Sequence, residues 1–319
     1  MRIVTFRLRD DPSGLPHPGL VLGDQIVDLT IVLARAKSSL RNGEVPQNTL
    51  SLLEHFSEFR EHLAGLLDER NSDELSNACI PLSAAKLTAP ILRPGKIICL
   101  AGNYREHIKE SGFAVPGEKD VITQQLFLKP ATAIIGNEDE IVIGKNNLKV
   151  GWETELAVVI GKKGRSISSD NAWEHVFGYT ILNDVSERAL NSTIGNRRQR
   201  EMDRFLDWLA GKWFDTFAPC GPWIVTADEV SNPHNLDIRL TVNGQVRQQG
   251  NTGDMIFAIP EQLAYASSIM TLEPGDIIST GTPVGAGVGG ADSSLNDGDV
   301  LICEIEKIGS LKNTVRCSR

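Results

Sequence analysis

Between residues 96 and 305 the chain keeps returning to one pattern, a short run rich in Val, Ile and Leu that is closed by Gly, Pro, Asn or Asp. β-Branched residues fit a pleated, half-buried surface, and the closing residues fit turns. The pattern predicts strands over 96–100, 125–129, 140–143, 153–160, 178–183, 223–226, 236–242, 276–280 and 299–305. Helices are predicted only over 104–111, 171–175, 202–209 and 260–268. A chain so divided folds as α+β, mainly β, burying its apolar runs between packed layers.

Residues 1–92 read differently. Strand signals over 3–8 and 19–29, with a turn at Gly23-Asp24, give way to a helical spacing of Leu50, Leu53, Phe56, Phe59 and Leu63 over 50–67. Leu92-Arg93-Pro94-Gly95 then interrupts the chain, because Pro cannot extend a helix and Gly admits positive φ. The expected organisation is a small N-terminal α/β domain over 1–92 and a larger, mainly β domain over 93–319, in line with the two domains that 319 residues suggest.

Hydrophobic residues at 41% and charged residues at 23% exclude disordered, collagen-like and coiled-coil classes. The net charge of −9, from 41 acidic and 32 basic residues, opposes phosphate binding by counterion release, so no nucleic-acid partner is expected. No run approaches the roughly 20 apolar residues of a bilayer crossing, so no membrane partner is expected either. Met1-Arg2-Ile3-Val4 enters directly into strand alternation without an export signal. The five cysteines are odd in number and contain no C-x-x-C pair, which points to reduced thiols in the cytoplasm.

The chemistry gathers in a few segments. On a strand, Glu153 and Glu155 project to the same face, and the chain continues into the apolar Leu156-Ala157-Val158-Val159-Ile160. Two such carboxylates repel each other and resist desolvation unless a cation joins them. Asp184, at the end of the predicted strand 178–183, offers a third oxygen ligand. An all-oxygen set favours Mg²⁺, Mn²⁺ or Ca²⁺ over zinc; the alternative is a solvated sheet face carrying a pair of glutamates. His107 and Glu110 are i, i+3 neighbours on a predicted helix, where a carboxylate would orient the imidazole as a general base; an ordinary surface pair is the alternative. Lys212, among aromatic residues, is either aimed at an anionic substrate or a snorkelling surface lysine. Ser279-Thr280-Gly281-Thr282-Pro283 lets backbone amides approach a ligand oxygen and offers hydroxyls, Thr282 among them. No strand, Gly-rich turn and helix follow one another as a dinucleotide site requires. Arg197, Arg198 and Arg200 are either substrate contacts for extra hydroxyl or carboxylate groups or solvated charges.

The ordered motifs are Lys96-Ile97-Ile98-Cys99 with Asn103-Tyr104 and His107, then Phe127-Leu128-Lys129-Pro130, Glu153-Thr154-Glu155-Leu156 and Asn183-Asp184-Val185-Ser186. Gly211-Lys212 with Phe214-Asp215, Val242-Asn243-Gly244, and Leu272-Glu273-Pro274-Gly275-Asp276 running into Thr280-Gly281-Thr282-Pro283 complete the series. Together they resemble the fumarylacetoacetate hydrolase family over roughly residues 93–316. The resemblance implies a mixed β-sandwich roll preceded by a small N-terminal domain, assembled as a homodimer. It implies Glu153, Glu155 and Asp184 as ligands of Mg²⁺, with Mn²⁺ or Ca²⁺ as alternatives. It implies His107 and Glu110 as a water-activating dyad, Lys212 as a catalytic cation, and Asn103, Tyr104, Lys129 and Thr282 at the substrate; Arg197, in a segment where this chain departs from the family, is a further candidate substrate contact. The activity implied is cleavage of a C–C bond in a 2,4-diketo acid, acylpyruvate-like or derived from a sugar acid, to pyruvate and a second acid. Decarboxylation of an oxaloacetate-type acid and keto–enol isomerisation are the alternatives within the family. A non-catalytic ligand-binding protein is the alternative outside it, and the presence of both His107 and Glu110 argues against it. Where many members carry Gln seven residues after the acidic ligand, this chain has Asn191.

Overall fold

A computed structural model describes residues 1–35, 45–68, 75, 77–112, 114–115, 117, 119–145, 149–190, 197–287 and 294–318. Asn191 lies outside the described residues. The strands, in chain order, are β1 (Arg2–Leu8), β2 (His17–Leu22), β3 (Gln25–Asp28), β4 (Cys79–Pro81), β5 (Ala85–Leu87), β6 (Ile97–Ala101), β7 (Gln125–Lys129), β8 (Ile134–Ile135), β9 (Glu140–Ile143) and β10 (Val150–Gly151). They continue with β11 (Thr154–Ile160), β12 (Val176–Asn183), β13 (Ser186–Glu187), β14 (Ala218–Thr226), β15 (Asp237–Val242), β16 (Gln245–Asn251), β17 (Ile277–Ser279), β18 (Val300–Ile305) and β19 (Gly309–Cys317). The helices are α1 (Leu29–Arg35), α2 (Thr49–Glu54), α3 (Phe56–Asp68), α4 (Arg105–Glu110), α5 (Asp203–Ala210) and α6 (Ile259–Ile269).

One 12-stranded sheet runs β4-β3-β2-β1-β14-β12-β11-β17-β6-β7, with β5 paired to β1 and β8 to β14 off this path, and a five-stranded sheet runs β16-β15-β18-β19-β9. The main core fills the space between them. Leu156, Val158 and Ile160 of β11 and Tyr179 and Ile181 of β12 meet Ile238, Leu240, Leu301, Cys303 and Ile305 of the smaller sheet. The intervening residues of the same strands point the other way, with Ala157 and Leu182 packing on Cys99, Phe127 and Cys220. Both faces of β11 are therefore covered and all its residues are buried, which is why its sequence reads as an uninterrupted apolar run. The fold is α+β, mainly β, as expected.

Strands on either side of residue 92 share the large sheet, since β1 pairs antiparallel with β14 through Arg2↔Val225 and Ile3↔Ile224. Ile3, Leu20, Leu52 and Leu53 likewise form one apolar cluster with Val159, Phe177 and Ile224.

Two expectations are corrected. The helix predicted over 50–67 breaks at His55 (φ −120°, ψ 17°), giving α2 and α3. The segment 171–175 forms a 3-10 turn over Ser169–His175 instead of an α-helix. Strands β16 and β19 carry too many polar residues to be read from alternation. Only Gln248 is fully buried in β16, an edge strand held by its ladder to β15.

Candidate active site

The antiparallel register of β11 on β12, Thr154↔Asn183 through Val158↔Tyr179, carries the two strand ends to the same rim of the sheet. There Asp184 N donates to Glu153 O at 2.8 Å, and Glu153 N donates to Asn183 Oδ1 at 2.9 Å. Residues 30 apart in sequence thus become neighbours, and Glu153, Glu155 and Asp184 bring ligand atoms within 4.8 Å of one another. All three are buried. On the far side of β11, strand β17 delivers Ser279 and Gly281, whose Oγ and N donate to Glu155 Oε2 at 2.5 and 2.8 Å. Gly281 has φ +93°, and a Cβ there would stand 2.8 Å from Asn103 Cβ, so the close approach requires glycine.

Three cations face the three acids. Lys212 Nζ lies 2.9 Å from Glu153 Oε2 and 2.7 Å from Asp184 Oδ2, Lys129 Nζ 2.6 Å from Asp184 Oδ1, and Arg188 Nη2 2.6 Å from Glu153 Oε1. Burial by itself raises a carboxyl group, yet at Glu153 the Lys212 and Arg188 charges prevail and hold it well below its usual range. Lys212, which burial alone would lower, is raised by Asp184 and Glu153. Glu155 behaves oppositely. Burial, then the like charges of Asp184 and Glu153, push it up to about 8, against the opposing hydrogen bond from Ser279. A buried carboxyl with hydrogen-bond donors but no cation in direct contact among the described residues is what a hard divalent ion relieves. The residues present therefore fit such an ion, with Glu153, Glu155 and Asp184 as its oxygen donors.

His107 and Glu110 come from α4, which follows β6. His107 Nδ1 stands 3.5 Å from Glu110 Oε2 and has no other partner among the described residues. Glu110 in turn accepts from Gly285 N at 3.0 Å and Ala286 N at 3.4 Å. Partial burial raises this carboxyl, but the hydrogen bonds from His107, Gly285 and Ala286 outweigh it, leaving Glu110 below its ordinary value. The helix is thus tied to the loop after β17.

Glu153, Glu155, Asp184, Lys129, Arg188, Lys212, His107 and Thr282 line one cavity of about 2000 Å³. Thr282 Oγ1 donates to Thr154 O and accepts from Gln248 Nε2, both at 2.8 Å. Its hydroxyl proton is therefore committed to the scaffold.

Three residues expected at the substrate are placed elsewhere. Asn103 spends Nδ2 on Phe257 O and Thr280 O, and Oδ1 on Phe257 N, so it braces the loops behind Gly281. Tyr104 is buried beside it and, like Asn103, is absent from the cavity wall. Arg197 pairs with Asp203 at 3.1 Å and Asp207 at 2.6 Å, anchoring α5. Its two acidic partners, both on that helix, satisfy the guanidinium where a substrate carboxylate was expected.

Sequence reasoning missed Arg188 and Gln248, and gave Asn183 a place in a motif but no role. Arg188 follows the two-residue β13 and carries no periodic signal, although its position four residues after an acidic strand end was a cue. Gln248 reaches from the smaller sheet, donating through Nε2 to Thr282 and Pro283 O and accepting from Thr154 N through Oε1.

Residues 96–316 match the family model described as fumarylacetoacetate (FAA) hydrolase C-terminal. The chain is 39% identical over 318 residues to the mitochondrial oxaloacetate tautomerase fahd2 of Xenopus laevis, spanning 99% of this chain and 90% of that protein. It is 43% identical over 237 residues to the mitochondrial oxaloacetate tautomerase FAHD2A of Homo sapiens, spanning 74% of this chain and 71% of that one. Among solved structures, maleylpyruvate hydrolase from Sphingobium sp. SYK-6 in complex with manganese(II) ion and pyruvate aligns with a TM-score of 0.74 and 32% identity, covering 100% of both chains. The 5-carboxymethyl-2-hydroxymuconate delta-isomerase from Mycobacterium smegmatis aligns at 0.69 with 30% identity, again covering 100% of both.

Proposed function

The chain belongs to the fumarylacetoacetate hydrolase family, and on that premise we propose that it is an enzyme interconverting the keto and enol forms of a small 2-oxo acid of the oxaloacetate kind. The observation that carries the reading is one cavity in which a buried acidic triad faces both fixed cations and a histidine backed by a carboxylate. The names of relatives spanning nearly the whole chain supply the substrate class. Glu153, Glu155 and Asp184 would hold the divalent ion, for which Mg²⁺ is proposed, with Mn²⁺ or Ca²⁺ as alternatives. When bound, that ion supplies Lewis-acid stabilisation of the negative charge that develops on the C2 oxygen.

The protein's own groups do the rest. Lys129, Lys212 and Arg188 make the cavity floor attractive to a carboxylate. With Nδ1 turned to Glu110, His107 exchanges a proton through Nε2. It removes the proton from C3 as the C2–C3 double bond forms and the carbonyl electron pair moves to oxygen, and the imidazolium then delivers that proton to the C2 oxygen to give the enol; the reverse sequence restores the keto form. Glu110, fixed by two backbone amides, stabilises the imidazolium between the two steps. The burial of the triad excludes bulk water from the developing charge.

Hydrolysis of a 2,4-diketo acid is the second reading, favoured by the same dyad, which is built to deprotonate a water, and by the likeness to maleylpyruvate hydrolase. The test is to follow the enol absorbance of oxaloacetate with chelator-treated protein as Mg²⁺ is added, while measuring released carbon dioxide and, with an acylpyruvate, released pyruvate. Metal-dependent loss of enol without fragmentation supports tautomerisation. Fragmentation as the faster process supports hydrolysis or decarboxylation instead. Homodimer assembly and a cytoplasmic location complete the proposal; no helix among the described residues is long and apolar enough to cross a membrane, and the five cysteines are free thiols. Light scattering and cell fractionation check them, with mitochondrial recovery, the location in the relatives' names, as the opposing outcome.

A further inference from the structure

The cavity that holds the acidic triad extends beyond its polar floor. Its volume of about 2000 Å³ exceeds the roughly 300–1,000 Å³ usual for small-molecule sites and far exceeds what a four-carbon dicarboxylate fills. Aromatic side chains from β7 and α5 form part of its wall. Phe127 of β7 has its ring centroid 5.1 Å from Lys212 Nζ, and Trp208 of α5 has its ring 5.9 Å from the same atom. The two rings meet edge to face at 5.2 Å, and Phe205, three residues earlier on α5, stacks on Trp208 at 5.9 Å with 27° between planes. The three rings run outward from Lys212 as one wall.

Along that wall exposure rises from 7% at Phe127 to 36% at Trp208 and 52% at Phe205. The i, i+3 spacing puts Phe205 and Trp208 on one side of α5, and both line the cavity. Leu209 of α5 packs against the apolar cluster of Cys99, Phe127 and Ala157, and Gly211 O at the end of the helix accepts from Glu187 N at 2.9 Å, so the rings are presented by a fixed element and not by a loose loop. Rings left open to water forgo the free energy of apolar burial, which an apolar group entering the cavity would recover.

We infer that the site accepts 2-oxo acids whose far end is an aromatic or bulky apolar group, seated against Phe205 and Trp208 while the oxo-acid end meets the triad and Lys212. The inference rests on the proposed reading of the oxo-acid end and adds the class of group at the other end. The full-length, Mg²⁺-loaded protein tests it with two unreactive probes that share a head group, oxamate and N-phenyloxamate, whose affinities are measured by calorimetry. The phenyl probe is expected to bind at least tenfold more tightly, and Phe205→Ala and Trp208→Leu are each expected to cut that preference roughly tenfold. In the same variants the ratio of kcat/KM for phenylpyruvate to that for oxaloacetate falls in parallel. Equal affinity for the two probes in the unmodified protein, or a preference that survives both substitutions, overturns the inference. A change of oligomeric state in Phe205→Ala with the preference intact does so too, because the rings would then be a contact between copies of the chain. Preference for the phenyl probe without turnover of either oxo acid leaves the apolar subsite standing and refutes the tautomerase reading alone.

Discussion

Replacing Lys212 with Met removes the ammonium 2.9 Å from Glu153 Oε2 and 2.7 Å from Asp184 Oδ2 while keeping the length of the side chain. At an effective dielectric near 20, a pair of unit charges about 4 Å apart is worth ~4 kcal/mol, and removing one partner of a buried pair costs about 3–5 kcal/mol because the other charge stays behind. Here Arg188 still reaches Glu153 and Lys129 still reaches Asp184, so the lower end, about 3 kcal/mol, is expected in the presence of a chelator. A divalent ion held by the triad restores the missing positive charge and no longer competes with the lysine for those carboxylates. Binding at a hundred times Kd contributes about 2.7 kcal/mol, so Mg²⁺ recovers most of the loss. Urea unfolding followed by tryptophan fluorescence, with chelator and with excess Mg²⁺, measures both quantities. The Mg²⁺-dependent gain is expected to be larger in the variant than in the unmodified protein, while turnover stays depressed by about 10²–10³-fold. A gain no larger than that of the unmodified protein would show that lysine and cation do not share the same carboxylates, and the charge balance argued for the site would be wrong.

His107→Asn is expected to lower kcat/KM by about 10²–10⁴-fold with no change in Mg²⁺-linked stability, and normal turnover would remove the histidine from the mechanism. Glu155→Gln should abolish the Mg²⁺-dependent gain in unfolding midpoint without lowering stability in chelator, because it relieves like-charge repulsion and the amide oxygen still accepts from Ser279 and Gly281; retained Mg²⁺ stabilisation contradicts the ligand assignment. Gly285 has φ +94° and a Cβ there would lie 2.0 Å from Arg247 O, so Gly285→Ala should cost on the order of 2–4 kcal/mol and weaken activity through Glu110, measured by denaturant midpoint and kcat. His234 Nε2 accepts from Ile259 N at 2.9 Å, and burial holds its imidazole below the ordinary value of 6.5 although Glu261 opposes this. Its contribution is therefore complete above pH 6.5 and lost as pH falls through the lowered folded value, so His234→Leu should flatten that part of the stability profile; an unaltered profile speaks against the assignment.

The strands that build the site were legible because their residues obey local rules. The apolar run after Glu155 marked a strand, and period two alone placed Glu153 and Glu155 on one side. The turn at Gly23-Asp24 sits between β2 and β3 as read. The legibility fails where a residue's role depends on a distant partner. Arg197 looked available for substrate until α5 folded its two acids onto it. Asn103 looked like a contact residue, but its amide is consumed by Phe257 and Thr280, more than 150 positions away. Gln248 belongs to a strand with almost no apolar signal and still orients Thr282.

Steric preference and apolar periodicity act over a few residues, so the linear order of side chains was enough to say where strands run and which way their side chains turn. What tertiary structure decided is the charge state and company of those side chains. Asp184 reaches Glu153 only through the β11–β12 register, and Lys129, Arg188 and Lys212 arrive from three separate segments. Coulomb interaction and desolvation depend on distance and burial in space, quantities that a linear order of residues does not contain until the sheets have packed.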